Sequence, residues 1–162
     1  MHAARPQQLH VSWIRWQRIV RELARRGDGQ RESGAFLLAR KERSPRRIAA
    51  AVYFDDIDPY ALNGSISIRG ERFGRLWTIC SENGMRVVAD VHTHPGSGVA
   101  QSSIDAENPM IALRGHTAII LPHFAQSSPG PRQSGVHIYE GEHRWQSYYK
   151  DDAATILRRT LW

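Results

Sequence analysis

The apolar positions in the first part of the chain follow a helical period. Within residues 12–26, apolar side chains recur at spacings of three and four, which places them on one helical face: Trp13, Trp16, Ile19, Val20 and Leu23. Ser12 is a suitable N-cap for this helix, and Gly27 is a suitable stop. We therefore predict an amphipathic helix whose apolar face is buried in the core.

Short apolar runs bounded by turn residues predict β-strands along the rest of the chain. They cover residues 9–11, 32–39, 48–54, 85–94, 117–121, 136–139 and 143–148. The second and third runs flank a basic turn at residues 41–47 and form a predicted hairpin. The last two runs predict a terminal hairpin.

Further helices are predicted between and after these strands. They are residues 69–83, with Phe73, Leu76, Trp77 and Cys80 on one face, a short helix that begins near Ser103, and residues 153–162. Residues 55–67 are expected to be irregular, and residues 123–135, which lack an apolar period, are expected to form a mobile loop. Helices that alternate with short buried strands indicate one α/β domain over residues 1–162.

Length and composition agree with a single soluble domain. A chain of 162 residues can bury one substantial core, and 41% hydrophobic residues with five Trp argue against disorder. No apolar run approaches the roughly 18–20 residues that cross a bilayer, and no secretory signal is evident at the start. We therefore expect a cytoplasmic protein with no membrane partner.

The chain is basic, with a net charge of +6. Arginines cluster within residues 21–31 and, with Lys41, within residues 40–47, and such a surface suits nucleic acid or an acidic protein. Nucleic-acid motifs and interleaved aromatic residues are missing, however. We interpret the charge as a solvated surface and do not expect a nucleic-acid partner.

The residues that carry chemistry are concentrated in the stretch VVADVHTHPGSGVAQSSID, residues 87–105. His92 and His94 lie two positions apart at the end of a predicted strand, so their side chains project to the same side. Two neutral imidazoles are suitable ligands for Zn²⁺, and Asp105 can supply a third if the Gly-rich loop folds back. A fourth position filled by water makes such a site catalytic, and Ser102 can donate a hydrogen bond to an oxyanion.

The same residues also admit simpler interpretations. Ser102 and Asp105 fit a capping box, in which both side chains satisfy amides at a helix start. Asp90, on the same side of the strand as the histidines, competes with Asp105 as a ligand or orients a histidine; we favour packing or orientation. Ser103 is an alternative to Ser102 as the oxyanion donor, but it lies two residues before Asp105 rather than three.

Other metal chemistries fit the sequence less well. Cys80 is the single cysteine, whereas zinc deaminases need a pair of cysteine ligands. No H-E-x-x-H helix is present. A two-histidine, one-carboxylate iron oxygenase needs neither Ser102 nor an upstream glutamate.

The pattern H-x-H-x7-S-x-x-D resembles the motif of the JAMM (JAB1/MPN+) metallopeptidases, here as His92, His94, Ser102 and Asp105. That resemblance implies an upstream glutamate at the start of a strand, followed by glycine and an apolar run. Glu32, in ESGAFLLA, occupies this place. The similarity covers roughly residues 9–121 in element order, although Ala35 and Ala39 stand where many relatives carry glycine.

The resemblance implies the site roles. His92, His94 and Asp105 bind one Zn²⁺ per chain together with a metal-bound water, Glu32 is the base and proton shuttle, and Ser102 holds the oxyanion. It also implies the MPN/JAB fold, a mixed β-sheet flanked by helices and similar to cytidine deaminases.

The resemblance further implies an activity and partners. Family members cut the peptide or isopeptide bond after the C-terminal tail of ubiquitin or a ubiquitin-like protein. The bacterial branch, which this chain resembles most, accompanies activating and conjugating enzymes, some of them in antiphage defence. Residues 55–67 and 122–135 fall near the two insertions that grip ubiquitin in relatives.

Two other classes of protein stay open at the sequence level. A non-catalytic MPN-like scaffold that binds a partner would typically lack metal ligands, whereas all five functional positions are filled here. A basic nucleic-acid-binding module would show salt-sensitive binding without a metal.

Overall fold

The computed structural model describes residues 6–42 and 46–162. Its strands are β1 (Leu9–Ser12), β2 (Gly34–Arg40), β3 (Arg46–Tyr53), β4 (Met85–Thr93), β5 (Thr117–Leu121), β6 (Gly135–Gly141), β7 (Arg144–Tyr148) and β8 (Leu157–Thr160). Its α-helices are α1 (Trp13–Gly27), α2 (Phe54–Ile57), α3 (Phe73–Glu82), α4 (Ser103–Glu107) and α5 (Lys150–Ile156). Short 3-10 helices lie at Gly70–Arg72, His123–Ala125 and Pro131–Gln133. None of the helices within the described ranges has the length and apolar character needed to cross a membrane.

The architecture is α/β, with one mixed sheet between two helical layers. The strand order is β7-β6-β5-β4-β2-β3-β1-β8, in which β4 and β5 run parallel and β2 is antiparallel to both of its neighbours. Trp16, Leu23 and Ile156, from α1 and α5, pack on one face of the sheet. Phe54 and Leu76, from α2 and α3, pack on the other face. The predicted α/β class and the mixed sheet flanked by helices are confirmed.

The pairing of β2 with β4 positions the start of β2 beside the histidines. Gly34 lies opposite His92, and the Thr93 amide donates to the Ser33 carbonyl at 2.9 Å. The Ser33 amide donates in turn to Thr93 Oγ1 at 3.0 Å. Gly34 is required here because a Cβ would lie 2.2 Å from the Phe54 ring. Glu32, two residues before β2, is thereby held next to His94.

Both predicted hairpins are confirmed, although residues 43–45 of the basic turn lie outside the described residues. The first helix is also confirmed, and Ser12 caps it by accepting from the Arg15 amide. It ends one residue later than predicted, at Gly27, and its C-cap Asp28 has the left-handed conformation. Trp13 corrects the predicted core face, because its side chain is 50% exposed. Side chains lean toward the N-terminal end of a helix, so the burial of a first-turn side chain such as Trp13 depends on the residues that lie beyond that end.

The C-terminal segment differs most from its prediction. The predicted helix over residues 153–162 is wrong: α5 ends at Ile156, and residues 157–160 form β8, which pairs in parallel with β1. Leu157 lies opposite Leu9 and is fully buried. β1, almost 150 residues away in the sequence, pairs with residues 157–160. This tertiary contact outweighs their weak helical propensity.

Two further segments differ in part from their predictions. In the predicted loop 123–135, Ala125 and Pro131 are buried, and the buried Trp16 donates from its indole to the Pro129 carbonyl at 3.0 Å. The predicted helix over residues 69–83 begins as a 3-10 turn, and Cys80 is buried on it as expected. Trp77, predicted on the same face, is half-exposed.

Candidate metal centre

Three side chains converge at the C-terminal end of β4. His92 Nε2 lies 3.2 Å from His94 Nε2, and His94 Nε2 lies 3.2 Å from Asp105 Oδ2. His92 Nε2 lies 3.5 Å from the other carboxylate oxygen, Asp105 Oδ1, so the three side chains form a triangle. Among the described residues, this is the group of His, Cys, Asp or Glu side chains whose ligand atoms are close enough to share an ion.

The triangle has the dimensions of a tetrahedral zinc site. Ligand atoms about 2.0–2.1 Å from Zn²⁺, separated by tetrahedral angles, lie about 3.3–3.4 Å apart. The two separations that share His94 Nε2, both 3.2 Å, are close to this value, and the 3.5 Å separation from His92 Nε2 involves the second oxygen of the Asp105 carboxylate. Two nitrogen donors and one carboxylate oxygen also leave one tetrahedral position open. The residues present therefore fit a metal ion such as zinc, with one coordination position left open.

Neighbouring backbone groups orient two of these side chains. His94 Nδ1 lies 3.1 Å from the Gly98 carbonyl. Because a carbonyl only accepts, Nδ1 carries the proton there and Nε2 is free to bind a metal. Asp105 Oδ2 accepts from the Ser102 amide at 2.8 Å, which holds the carboxylate towards the histidines.

The electrostatics of the group favour an added positive charge. The hydrogen bond with Asp105 raises the pKa of His94, and burial opposes this shift. For Asp105, burial favours a higher pKa, but the hydrogen bonds of His92 and His94 outweigh it and hold the pKa well below its usual range. The negative carboxylate and the basic imidazole both stabilise a cation between them, and a metal ion can take the place of the proton.

The two other predicted site residues line the same cavity. Glu32 and Ser102 both border the cavity of about 320 Å³ that contains His92, His94 and Asp105. Ser102 also caps α4, since its Oγ accepts from the Asp105 amide at 3.1 Å. The capping bond uses a lone pair of the hydroxyl and leaves its O–H free to donate. Capping and oxyanion binding are thus compatible at one serine.

Asp90 does not join the group of converging ligands. It is buried, and its Oδ1 lies 2.6 Å from His116 Nε2. His116, the residue before β5, is also buried. Asp90 borders the cavity that contains His92, and its hydrogen bond with His116 fixes the carboxylate there.

Two residues that support the site were missed by the sequence analysis. His137, buried on β6, lies 2.9 Å from the Val99 carbonyl through Nε2 and 2.8 Å from Ser147 Oγ through Nδ1, and burial lowers its pKa. Trp145 borders the cavity and donates from its indole to the Ala106 carbonyl at 2.9 Å. They hold the two ends of the loop and helix that carry Ser102. Partners 38 and 39 residues away leave no local signal.

A left-handed turn fixes the backbone around His94. His123, Phe124 and Ala125 have φ values of 53°, 51° and 61°. The His123 amide donates to the Gly96 carbonyl and the Phe124 amide to the His94 carbonyl, at 2.9 and 2.8 Å. Non-glycine residues seldom adopt this conformation because of a Cβ clash. Strained backbone is therefore held against the strand end that carries the candidate ligands.

Comparison with known proteins supports the fold. No family model matches the chain. A protein from Desulfitobacterium hafniense, solved in solution, is similar over 95% of both chains with a TM-score of 0.67 at 14% identity. A protein from Salinibacter ruber is similar over 92% of this chain and 90% of its own, with a TM-score of 0.57 at 19% identity. These similarities show a shared fold.

A JAB1/MPN domain protein from Archaeoglobus fulgidus is also among the solved structures that match. Its TM-score is 0.46 at 13% identity, over 86% of this chain and 94% of its own.

Proposed function

We propose that the chain is a zinc-dependent metallopeptidase of the JAMM type. It cleaves the peptide or isopeptide bond after the C-terminal tail of a ubiquitin-like protein, within a bacterial conjugation system that includes activating and conjugating enzymes, some such systems serving antiphage defence. The observation that carries the proposal is the triangle of His92, His94 and Asp105, with Glu32 and Ser102 on the same cavity. The motif resemblance, rather than the geometry, supplies the substrate class.

The residues divide the chemistry among them. His92, His94 and Asp105 would hold one Zn²⁺, which when bound acts as a Lewis acid and lowers the pKa of water. The Glu32 carboxylate accepts the proton of the attacking water and passes it to the leaving amine. The Ser102 hydroxyl donates to the oxygen on which negative charge develops. His94 keeps its orientation through its bond to Gly98.

The shape of the cavity supports an extended substrate. Its volume of about 320 Å³ lies beside Ile66, Met110 and Trp145, which give it apolar walls next to the metal ligands. A cavity of this volume has room for only a few residues of peptide, which a C-terminal tail can supply and a folded segment cannot.

Glu32→Gln tests the proposal most directly. We expect the variant to keep one zinc per chain and wild-type thermal stability, because Glu32 is not among the three ligands. Cleavage of a fusion to a ubiquitin-like protein encoded near the gene should fall by about 10²–10⁴-fold, the usual contribution of a general base. Zinc is measured by mass spectrometry and cleavage by gel.

Glu42→Gln is the matched control, since Glu42 is an exposed glutamate outside the cavity. It should cleave like wild type. Full cleavage by zinc-loaded Glu32→Gln would show that the proton chemistry is wrong. A wild-type protein that binds zinc and a ubiquitin-like protein but cleaves nothing would favour the scaffold class.

A further inference from the structure

A second, larger cavity lies at the opposite end of β4 from the histidines. Its volume is about 870 Å³, and its wall includes Met85 and Val88 of β4 and Tyr139 of β6. His116 also lines it, and the partner of His116, Asp90, borders the metal cavity. The two cavities therefore lie on either side of one buried hydrogen-bonded pair.

Cationic side chains dominate the charge of this second cavity. Its described lining residues include four cations and a single carboxylate, that of Glu140; the cations are Lys41, Arg46, Arg86 and Arg114. Within the described residues, no Asp or Glu lies within salt-bridge distance of any of the four cations. Residues 1–5 and 43–45 contain no Asp or Glu at all. The chain thus leaves the cationic surplus of the cavity without an acidic partner of its own.

Arg46 shows the imbalance most clearly. The pairing of β4 with β2 passes from Ala89 to Val87, so Val88 has no partner residue on β2, and the Arg46 guanidinium donates to the Val88 carbonyl. Arg46 is partly buried. Burial, with the nearby charge of Arg86, lowers the pKa of Arg46. Two like charges in partly desolvated surroundings gain stability when an anion lies between them.

The rest of the wall is apolar and aromatic. Trp77 and Leu113, both substantially exposed to solvent, lie on it together with Met85 and Ile111. Ligand-binding cavities typically measure about 300–1,000 Å³ and combine apolar walls with a few polar groups. The second cavity has that size and combination. A ligand that matches it carries an oxyanion for the guanidinium groups and an aromatic or aliphatic body for Trp77 and Leu113.

We propose that this second cavity is a binding site for a small organic anion with an apolar body. The oxyanion is held by Arg46 and Arg86, with Lys41 and Arg114 nearby, and the body lies against Trp77 and Leu113. Binding needs neither zinc nor Glu32, so this inference is independent of the proposed peptidase activity.

Naphthalene-1-sulfonate, neutral 1-naphthol and inorganic sulfate test the site by calorimetric titration of the full chain. We expect the sulfonate to bind once per chain, about tenfold or more tightly than either 1-naphthol or sulfate, because only it meets both parts of the cavity. Its affinity should fall when NaCl rises from about 50 to about 500 mM, since the charges are partly exposed. The indole signal of Trp77 should shift in the NMR spectrum.

Arg86→Gln should weaken sulfonate binding by about tenfold, the size expected for one charge-assisted hydrogen bond. Arg86 is exposed, so the variant should fold. Arg18→Gln, an exposed position on α1 outside both cavities, is the matched control and should bind like wild type. Equal affinity for sulfonate and naphthol, or equal losses in both variants, would overturn the proposal. So would a chain that binds none of the probes and forms a dimer, which would assign this face to a second copy.

Discussion

At the scale of single residues, the metal centre is built from groups that each have two roles. Asp105 is both the N3 residue of a capping box and one of the three candidate metal ligands. Ser102 caps α4 through its lone pair and keeps its O–H for another acceptor. His94 uses Nδ1 for the Gly98 carbonyl and leaves Nε2 for a metal. The helix cap therefore preorganises the site, so that ligand binding orders little additional structure.

The left-handed turn beside His94 leads to a prediction about single residues. His123 is exposed and has φ 53°, so its Cβ costs free energy without contributing buried contacts. His123→Gly should be more stable than His123→Ala by about 1 kcal/mol, because alanine keeps the Cβ clash and glycine removes it. Urea unfolding followed by circular dichroism measures the difference. Equal stability of the two variants would mean that the backbone is not strained there.

At the scale of elements, charged residues tie α1 to the segment after β3. Arg26 bonds to Glu22 on its own helix at 2.8 Å and to Asp55 of α2 at 2.8 Å, and its guanidinium lies 4.2 Å from the Tyr53 ring centroid. α1 lies on one face of the sheet and α2 on the other. The network therefore connects the helical layer that contains α1 to the layer that contains α2.

The Glu22 carboxylate in this network makes stability depend on pH. The hydrogen bond from Arg25 lowers its pKa from 4.5 to about 2, with Arg26 contributing, against the effect of burial. A lowered folded-state pKa stabilises the fold above about 4.5, and this contribution is lost as the pH falls towards about 2. Since the pair is partly exposed, we expect about 1 kcal/mol.

Glu22→Gln should thus lower the free energy of unfolding by about 1 kcal/mol at pH 7. The difference from wild type should shrink as the pH falls through the window from 4.5 to about 2. The exposed Glu82→Gln, at the end of α3, should show no such trend. A wild-type minus variant difference that stays constant with pH would contradict the assignment.

At the scale of the whole molecule, the C-terminal strand completes the sheet. β8 pairs with β1 over four residues, from Leu9 with Leu157 to Ser12 with Thr160. Without β8, the edge of β1 would be free and the buried Leu157 would be missing from the core. Strand edges of this kind promote association between molecules.

Removal of residues 157–162 should therefore lower stability by about 3 kcal/mol or more and promote aggregation. Removal of Leu161 and Trp162 alone should change stability by less than about 0.5 kcal/mol, because they are 85% and 81% exposed. Thermal unfolding and light scattering measure both effects. A shorter chain that unfolds like wild type would show that β8 contributes little to the fold.

The sequence by itself determined the elements whose patterns are local. The helical face from Trp16 to Leu23, the hairpin of β2 and β3 and the buried strand Thr117–Leu121 follow from spacing and residue type. The candidate ligands follow in the same way, because His92 near the end of β4 and His94 just after it lie two residues apart, and Asp105 lies in the first turn of the next helix, α4. Alternation and capping are set by neighbouring residues, so no tertiary contact is needed to predict them.

Only the tertiary structure decided which distant residues meet. The register of β2 on β4 brings Glu32 to the cavity of the histidines, and it pairs residues some sixty positions apart. Asp90 meets His116 rather than the ligand triangle, and His137 reaches the Val99 carbonyl. Residues 157–160 become a strand because β1 is available to pair with them. These contacts depend on chain topology and on burial, neither of which leaves a local pattern in the sequence.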